Sequence, residues 1–404
     1  MLGTMRPWVV KEVRNAMDDR AQCHVEAGRS HNGQRRILHI VPQLQPGDGI
    51  SSVVMNYAKS LAADGFVFDV ITHKIEHSQY ANAIRAMGGT VTVLPWFTPV
   101  ALPRLAAMVR RYFETHRGQY EAVHCHMTNA AFMYLWEASR AGVAVRVLHS
   151  HQTRYADTVL HAMRNMPLIA LGRRMATVNV ACSQKAGRFL FGRQPFVVLP
   201  NAIDTRRFAF DAVQRVATRA KLGIEGGSRL YGNVGRLALQ KNQDFLLEVF
   251  RLIRQRDSHA RLVVLGEGPL RDVLHEKADR LDVADAVLWV PNTDHPDEYY
   301  DAMDVFLLPS LHEGLPVSLV EAQCAGLPAV VADNVDPQAV VSQVVQLPIE
   351  PPDAAASAWA ARAMSAAGAV RMAERAEGRS IMAAAGFDMY RQARDLERIY
   401  AGHA

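Results

Sequence analysis

The chain has 404 residues, of which 49% are hydrophobic and 21% charged, and its formal net charge is +5. This length and apolar content suffice for two domains of ordinary size. No run of 18 apolar residues occurs, which argues against a transmembrane helix. Four scattered cysteines without CxxC spacing argue against structural zinc and favour a reduced, cytoplasmic protein. The mild basic excess, without a dense Lys/Arg run, favours phosphate-bearing partners and not nucleic acid.

Alternating apolar strands and amphipathic helices predict an α/β fold with a parallel sheet and crossover helices. Residues 1–35 carry mixed charge and no apolar core, so we expect a disordered or weakly ordered tail and not a secretory signal. In the first half of the chain, strands are predicted at residues 36–41, 66–72, 91–94, 122–124, 144–148, 178–183 and 196–199, with helices at 50–63 and 101–116.

The strand–helix pattern restarts at residue 230, after a short segment that runs from Pro200 to Asp204. Strands are predicted at residues 230–235, 261–265, 287–290 and 304–309, and the sheet is expected to end near residue 347. An alanine-rich helix is predicted at 354–367 and a last helix at 387–400. The two halves show no sequence repeat, so any similarity between them lies in architecture alone.

Two carboxylates, Glu313 and Glu321, stand eight residues apart around a Gly-Leu-Pro turn that opens a helix. Pro316 suits the first helical turn, where its missing N–H costs nothing. The free amides of residues 317–319 would then point outward with the positive end of the helix dipole, which predicts an anion site. The alternative is a pair of solvated surface glutamates.

Two cations, Arg236 and Lys241, stand five residues apart where a strand runs through Gly235 into a helix start. Arginine offers a fork to two phosphate oxygens and lysine a compact point charge, so the pair is predicted to clamp a diphosphate. Two unpaired surface cations are the alternative. A helix N-terminus is unfavourable for cations, which indicates an anionic partner.

Two histidine pairs end consecutive strands: His124 and His126, then His149 and His151. A protonated ring could stabilise leaving-group charge, and a neutral ring could hydrogen-bond a hydroxyl. Metal binding is the competing interpretation. No carboxylate or cysteine completes a ligand set, so we predict no metal site.

The first glycine turn, Gly47-Asp48-Gly49, precedes a helix, so Gly49 could offer its backbone N–H to a phosphate or a sugar. A plain strand–helix turn is the alternative. No GxGxxG pattern follows the strand, which argues against a dinucleotide fingerprint.

Taken in order from about Arg36 to the C-terminus, these motifs resemble the retaining nucleotide-sugar glycosyltransferases of family 4, also called glycosyl transferases group 1. The wording of residues 308–323 resembles the branch that builds exopolysaccharides and capsules. The resemblance implies a GT-B fold, in which two Rossmann-like domains face each other across a cleft. It implies an acceptor domain at 36–203, a donor domain at 204–386, and a C-terminal helix, 387–404, that packs back on the first domain.

The resemblance also implies roles for individual residues. Glu313, His126, Arg236 and Lys241 would act at the reacting sugar and diphosphate, and Glu321 would bind the ribose. His124, His149 and His151 would line the acceptor side. The remaining implied donor contacts come from Gly314, Leu315, Pro316, Val317, Ser318, Leu319, Gly49, Asn292 and Gly266. The glycine turn departs from the family's usual Gly-Gly, which leaves the ligand of Gly49 open.

The implied reaction moves a hexosyl unit from a nucleotide diphosphate sugar to a hydroxyl of a lipid-linked glycan, with retention and without a cofactor or metal ion. A UDP-sugar is favoured over a GDP-sugar. Peripheral contact with the anionic inner membrane face would use Arg104, Arg110 and Arg111 of helix 101–116, for which an ordinary solvated basic face is the alternative. Two alternatives are a catalytically silent sugar-nucleotide-binding regulator and a sugar-nucleotide 2-epimerase of the same fold.

Overall fold

The structure is a computed structural model that describes residues 34–98, 100–151, 159–224, 226–369 and 372–403. Nearly all of the predicted N-terminal tail therefore lies outside the described residues. The described chain folds around two parallel sheets, and apolar strands form because both faces of each sheet are covered by helices.

The first sheet has seven parallel strands in the order β3-β2-β1-β4-β5-β6-β7. Its strands are β1 Arg35–Val41, β2 Phe66–Thr72, β3 Val91–Val93, β4 Ala122–Cys125, β5 Val145–Ser150, β6 Val178–Ala181 and β7 Val197–Val198. Its helices are α1 Gly49–Leu61, α2 Gln79–Ala86, α3 Leu102–Thr115, α4 Ala131–Arg140, α5 Val159–Met175 and α6 Gln184–Phe191.

The second sheet has six parallel strands in the order β10-β9-β8-β11-β12-β13. Its strands are β8 Leu230–Val234, β9 Arg261–Leu265, β10 Val287–Val290, β11 Val305–Leu308, β12 Ala329–Ala332 and β13 Val344–Leu347. Its helices are α7 Ala212–Lys221, α8 Gln243–Arg254, α9 Arg271–Arg280, α10 Pro296–Ala302, α11 Val317–Cys324, α12 Pro352–Ala369, α13 Met372–Arg375 and α14 Gly378–Ala384.

Both sheets wind outward in the same way from a central strand, β1 in the first and β8 in the second. This is the strand order of a Rossmann-like sheet, so the prediction of two Rossmann-like domains is confirmed. Ligands bind such sheets at the carboxyl ends of the strands, where the order reverses. The loops that follow β1 and β8 are therefore the places to look for the site.

The last helix, α15 Met389–Tyr400, returns to the first sheet. Leu396, Ile399 and Tyr400 are buried in the apolar layer between the first sheet and α1. The chain crosses from the first sheet to the second near Ile203 and returns near Phe387. The amide of Ile203 donates to the carbonyl of Phe387 over 2.9 Å. The two crossings are thus held side by side.

Candidate active site

A cleft of about 960 Å³ lies between the two sheets. Its walls are the loops after β1, β8, β10 and β11, together with the start of α1 and of α11. A cavity of this volume accommodates a ligand of nucleotide-sugar size. The carboxyl ends of both central strands therefore open into one space.

The loop that joins β11 to α11 contains Glu313 and lines the cleft, and Glu321 follows within α11. Pro316 is the residue before the helix, in extended conformation, so the prediction that it lies within the first helical turn is wrong by one position. Gly314 is required by a close approach, because a Cβ there would collide with the carbonyl oxygen of His151. The loop of the second domain therefore touches the end of β5 in the first.

Glu313 and Lys241 form a buried ion pair in which Nζ lies 2.7 Å from Oε1. Lys241 ends a 3₁₀ turn, Leu239–Lys241, that directly precedes α8. The anionic partner expected for a cation at a helix start is thus Glu313 itself. A diphosphate that entered the cleft would meet this lysine already fixed in place.

Arg236, the other predicted cation, is exposed and lines the cleft. Its side chain makes no hydrogen bond or ion pair with any residue that the structure describes. The pKa of Glu76 in the first domain is lowered, first by hydrogen bonds from Lys74 and Gln45 and to a smaller extent by the charge of Arg236. Arg236 therefore lies near enough to Glu76 for their charges to interact. Arg236 is the exposed half of the predicted clamp, and Lys241 is the half that is ion-paired to Glu313.

Glu321 lies one turn inside α11, where the Tyr300 hydroxyl donates to its Oε2 over 2.8 Å. Burial raises the pKa of Glu321 to about 7, and the Tyr300 hydrogen bond and the charge of Arg207 oppose that rise. The group therefore changes its protonation near neutral pH. Above that point it is a carboxylate that can accept two hydroxyl hydrogens.

Two of the predicted donor contacts do not line the cleft. Leu319 is fully buried and its amide donates to the carbonyl of Pro316, so the free amides at the start of α11 are those of Val317 and Ser318 within the described chain. Gly266, with φ +146°, packs behind the cleft, where a Cβ would collide with the carbonyl oxygen of Gly235. It supports the β8 loop and does not contact that space.

The other predicted donor residues lie at the cleft wall. Gly49 begins α1, and Asp48 caps that helix by accepting from the Ser51 amide over 2.8 Å. Gly47, with φ +79°, approaches Asn292 so closely that a Cβ would lie 2.8 Å from its Oδ1. The glycine turn of the first domain therefore meets the β10 loop of the second across the cleft. Leu315, Pro316, Val317 and Ser318 complete this wall.

The histidines form a buried network that the sequence only partly indicated. Its consecutive members are linked through ring nitrogens and one phenol at 2.8–3.2 Å. In order, this histidine chain consists of His149, His124, Tyr400, His39, His126 and His151. Burial lowers the pKa of every imidazole in it, to about 3 for His39 and about 4 for His151. The five rings are therefore neutral at pH 7.

Only His151 of the four predicted histidines lines the cleft. The predicted cleft positions of His124, His126 and His149 are wrong, because their side chains point into the layer covered by α1 and α15. Both ring nitrogens of His126 are already used, by His39 at 3.0 Å and by His151 at 2.8 Å. It therefore has no free nitrogen for a sugar hydroxyl.

Two triplets within the histidine chain bring ring nitrogens within 4.8 Å of one another. They are His39, His124 and His126, and then His126, His149 and His151. Imidazole suits zinc and copper, but no carboxylate or thiolate belongs to either triplet, and most of the nitrogens are hydrogen-bonded to each other. We keep the prediction that the site uses no metal as a hypothesis to test.

Several site residues were missed from the sequence. Arg207 lines the cleft and donates to Asp297 over 2.9 Å, and Asn201 lines it beside Leu315. His39 lies opposite His124 in the register of β1 and β4, which the structure shows and the sequence of one strand does not. Tyr400 carried no local signal, since only the fold brings it 276 residues back to His124.

Two family models match the chain in succession. Glycosyltransferase Family 4 matches residues 47–207, and Glycosyl transferases group 1 matches residues 214–379. EpsF of Bacillus subtilis (strain 168), a protein named as a glycosyltransferase, is 31% identical over 380 residues, which are 92% of this chain and 97% of that one. The chain belongs to the family 4 glycosyltransferases. It is thus a transferase enzyme, as the sequence motifs predicted.

A more distant relative is the Escherichia coli UDP-Gal:alpha-D-GlcNAc-diphosphoundecaprenol alpha-1,3-galactosyltransferase. It is 25% identical over 240 residues, which cover 57% of this chain and 62% of that protein. Among solved structures, Anabaena Alr3699/HepE with UDP and glucose superposes with a TM-score of 0.74 at 17% identity, covering 91% of this chain and all of that one. WaaG, a glycosyltransferase of lipopolysaccharide biosynthesis, gives 0.70 at 17% identity and the same coverage. These likenesses confirm the GT-B fold.

No helix within the described ranges combines the length and the apolarity that a bilayer span requires.

Proposed function

We propose that this glycosyltransferase moves a hexosyl unit from a nucleotide diphosphate sugar to a hydroxyl of a lipid-linked glycan, with retention of anomeric configuration. The observation that carries the proposal is the ion pair between Lys241 and Glu313, whose Nζ and Oε1 atoms lie 2.7 Å apart at the cleft wall. Glu313 belongs to the loop of residues 309–316 between β11 and α11, which we call the donor loop. The ion pair holds one cation for the leaving diphosphate and one carboxylate for the sugar on the same wall.

Charge placement supports the division of labour. Lys241, Arg236 and the amides of Val317 and Ser318 would take the charge of the departing diphosphate. Glu321 would accept hydroxyls of the ribose. The cations and the helix dipole would stabilise the leaving group without a metal ion, so no cofactor is proposed.

A UDP-sugar is the proposed donor and a GDP-sugar the second choice. The galactosyltransferase relative named for a UDP-Gal donor, and the neighbour solved with UDP and glucose, favour uridine. Exopolysaccharide or capsule synthesis is the proposed setting, because the wording of residues 308–323 resembles that branch. Action on a lipid-linked glycan would require peripheral contact with the inner membrane face, for which Arg104, Arg110 and Arg111 around α3 are the candidates.

The test is a donor screen. The protein is incubated with UDP-, GDP- and ADP-sugars, with and without EDTA, and nucleotide release is measured. Release from one UDP-sugar that EDTA leaves unchanged supports the proposal, and EDTA-sensitive release contradicts the metal-free part. Binding without cleavage, even with a membrane extract as acceptor, would identify a silent regulator. Conversion to a free epimerised sugar would identify a 2-epimerase.

A further inference from the structure

The histidine chain joins the core of the first domain to the donor loop of the second. Its last member, His151, lies beside Asn201 in the segment that crosses between domains. The amide of Asn201 donates from Nδ2 to the carbonyl of Leu315 over 2.7 Å. Leu315 stands between Glu313 and the start of α11, so the path ends on the loop that carries Glu313 and leads into the helix that carries Glu321.

The connectivity of the links is regular. In each imidazole–imidazole link, Nδ1 of one ring meets Nε2 of the next, over 3.0 Å from His149 to His124 and over 2.8 Å from His126 to His151. Tyr400 joins the two halves, with its hydroxyl 2.9 Å from Nδ1 of His124 and 3.2 Å from Nε2 of His39. A hydrogen bond needs one proton per link, so neighbours cannot choose tautomers independently.

Proton counting leaves two arrangements. Five neutral imidazoles and one phenol bring six protons, five of which fill the five links. The sixth must then sit at one end, on Nδ1 of His151 or on Nε2 of His149. If it sits on His151, all five imidazoles carry their proton on Nδ1, and if it sits on His149, all five carry it on Nε2. Any mixed pattern would leave a link with two protons or none.

Asn201 decides between the two arrangements. Because its Nδ2 is used by Leu315, its Oδ1 is an acceptor, and this buried oxygen has no hydrogen-bond partner among the described residues. The Nδ1 atom of His151 is also buried and has no other partner there. Burial lowers the pKa of His151 and the adjacent Asn201 side chain opposes that shift, so a proton on that Nδ1 would face an acceptor. Nε2 of His149, the other end, faces no hydrogen-bond partner among the described residues. A buried polar atom left unsatisfied costs about 1–3 kcal/mol, which favours the proton on His151.

We propose that the histidine chain is a single directional hydrogen-bond chain, with every imidazole protonated on Nδ1, which ends on Asn201 and thereby positions the donor loop. Tyr400 and Asn201 are positioning residues in this assignment, because they act through His151 and Leu315. The contact of Gly314 with the His151 carbonyl is the second point at which the same strand end holds the loop. The effect on turnover rests on the proposed function, but the tautomer pattern does not.

The first test is direct observation of the protons. Ligand-free, full-length protein labelled with ¹⁵N-histidine gives long-range ¹H–¹⁵N spectra in which Nδ1–H and Nε2–H rings differ. The chain has 16 histidines, so the five are assigned with single His→Gln variants, or located in a neutron structure if those variants fail to fold. Five neutral Nδ1–H rings are expected. A mixed pattern, a uniform Nε2–H pattern or a doubly protonated ring at pH 7 overturns the proposal.

Tyr400→Phe sharpens this test because it removes one hydroxyl and keeps the ring. The half that Asn201 anchors, His39, His126 and His151, is expected to stay Nδ1–H. His124 and His149 lose the imposed direction and should show Nε2–H signals. Tyr112→Phe is the matched control, since it removes a buried hydroxyl that bonds Tyr120 at 2.6 Å, outside the histidine chain. Unchanged His124 and His149 signals in Tyr400→Phe contradict a chain that passes through the phenol.

The second test separates positioning from folding. Asn201→Ala is expected to lower donor kcat/KM about 30-fold, because the loop loses its tie to the first domain. Asn179→Ala is the control, since Asn179 donates the same kind of bond, to Pro195 over 3.1 Å, away from the cleft. Equal kcat/KM in both variants rejects the positioning role. If no donor is turned over by the parent protein, the proposed function fails while the tautomer result stands.

Stoichiometric metal is the remaining outcome. Zinc, nickel or copper that copurifies at one ion per chain, resists dialysis against EDTA and shifts these histidine signals would overturn the proposal, because a ligated ring nitrogen cannot carry the required proton. The metal content of the purified protein is measured before the spectra are recorded.

Discussion

Two polar clusters lie at the carboxyl ends of parallel strands, one in each domain, and they differ in charge. In the second domain, Lys241, Glu313 and Arg236 are ions that line the cleft. In the first domain, the histidine chain is buried and its imidazoles are neutral. The same position in the same topology therefore carries an ionic cluster in one domain and an uncharged, buried cluster in the other, although Asp48 and Lys59 of the first domain also line the cleft.

The difference matches what each wall would handle. A diphosphate brings negative charge that must be neutralised by fixed cations in a site partly shielded from water. On the other wall, His151 is the member of the histidine chain that lines the cleft, so the chain would act there through packing and not through contact with a ligand. The histidine chain would therefore position the strand ends of the first domain, whereas Lys241, Glu313 and Arg236 supply the charged groups of the second domain.

Lowering the pH should have the largest effect, because it would protonate the neutral imidazoles of the histidine chain. The pKa of each imidazole in the chain is lowered by burial, so below pH 6.5 the unfolded chain binds protons that the native protein does not. Stability is then lost as pH falls, by up to about 1.4 kcal/mol per pH unit for each group. Glu321 and Asp301, whose pKa burial raises to about 7, act in the opposite direction, but five imidazoles outnumber them.

Urea unfolding at pH 7, 6 and 5 checks this expectation. The free energy of unfolding should fall with an increasing slope, and calorimetry should show several protons taken up on unfolding. His259→Gln, an exposed loop histidine, serves as the control and should leave the slope unchanged. A flat free energy between pH 7 and pH 5 would show that the chain is not neutral and buried.

Lys241→Met should break the ionic wall. It leaves Glu313 buried without its partner, which costs about 3 kcal/mol of stability, and removes the fixed cation, so donor turnover should fall about 1,000-fold. Lys277→Met is the matched control, because Lys277 pairs with Asp244 at 2.7 Å and Glu248 at 3.0 Å away from the cleft. The double variant Lys241→Met/Glu313→Gln should regain stability but not turnover. Turnover within tenfold of the parent enzyme would contradict the role of Lys241.

The sequence predicted the ionic wall better than the neutral one, for a physical reason. Arg236 and Lys241 lie five residues apart after β8, and Glu313 and Glu321 lie eight residues apart after β11. Strand, turn and helix start therefore fix each pair locally. Only the fold joins Lys241 to Glu313 across 72 residues. The histidine chain depends on register between strands and on a tyrosine at the end of α15. From the sequence, His39 could not be distinguished from any other residue of a buried strand, because the sequence of one strand does not show which residues lie opposite it in the adjacent strands. The strands were predicted within a few residues because continuous apolar runs mark both-sided burial.

The misplaced residues have the same origin. Leu319 belongs to a motif whose other members line the cleft, and Gly266 directly follows Leu265, which also lines it, but packing decides which atoms reach that space. The first turn of α11 closes on Pro316, and Gly266 lies against Gly235. A pattern of residues locates a loop, and only the packed structure says which of its atoms reach a ligand.

Arg236→Ala should weaken the ionic wall without disturbing the fold. The side chain is exposed and unpaired within the described chain, so the free energy of unfolding should change by less than about 0.5 kcal/mol. The Kd for UDP should rise about 30-fold, because one charge-assisted fork to the diphosphate is lost. Isothermal titration at two salt concentrations measures it, with exposed Arg256→Ala as control. An unchanged Kd would place the diphosphate elsewhere.

The smallest expected effect concerns Glu321, whose titration should make the affinity for UDP depend on pH; Glu321→Gln should remove that dependence. Because burial raises the pKa of Glu321 to about 7, the ligand-free group is largely protonated at pH 6 and largely ionised at pH 8. Only the carboxylate accepts two ribose hydroxyls, so UDP should bind about tenfold more tightly at pH 8 than at pH 6. Because folding raises the pKa of Glu321, the ligand-free fold loses stability as pH rises from about 4.5 to about 7, and bound hydroxyls would offset that loss.

In Glu321→Gln the tenfold change should disappear, because the amide does not titrate. The phosphates of UDP also titrate in this range, so the variant and the parent protein are compared at each pH and only the difference is assigned to Glu321. The Tyr300 hydroxyl, which donates to Glu321 over 2.8 Å, can still donate to the amide oxygen, so the pocket should keep its shape. An equal pH dependence in both proteins would mean that the ribose is held by another group.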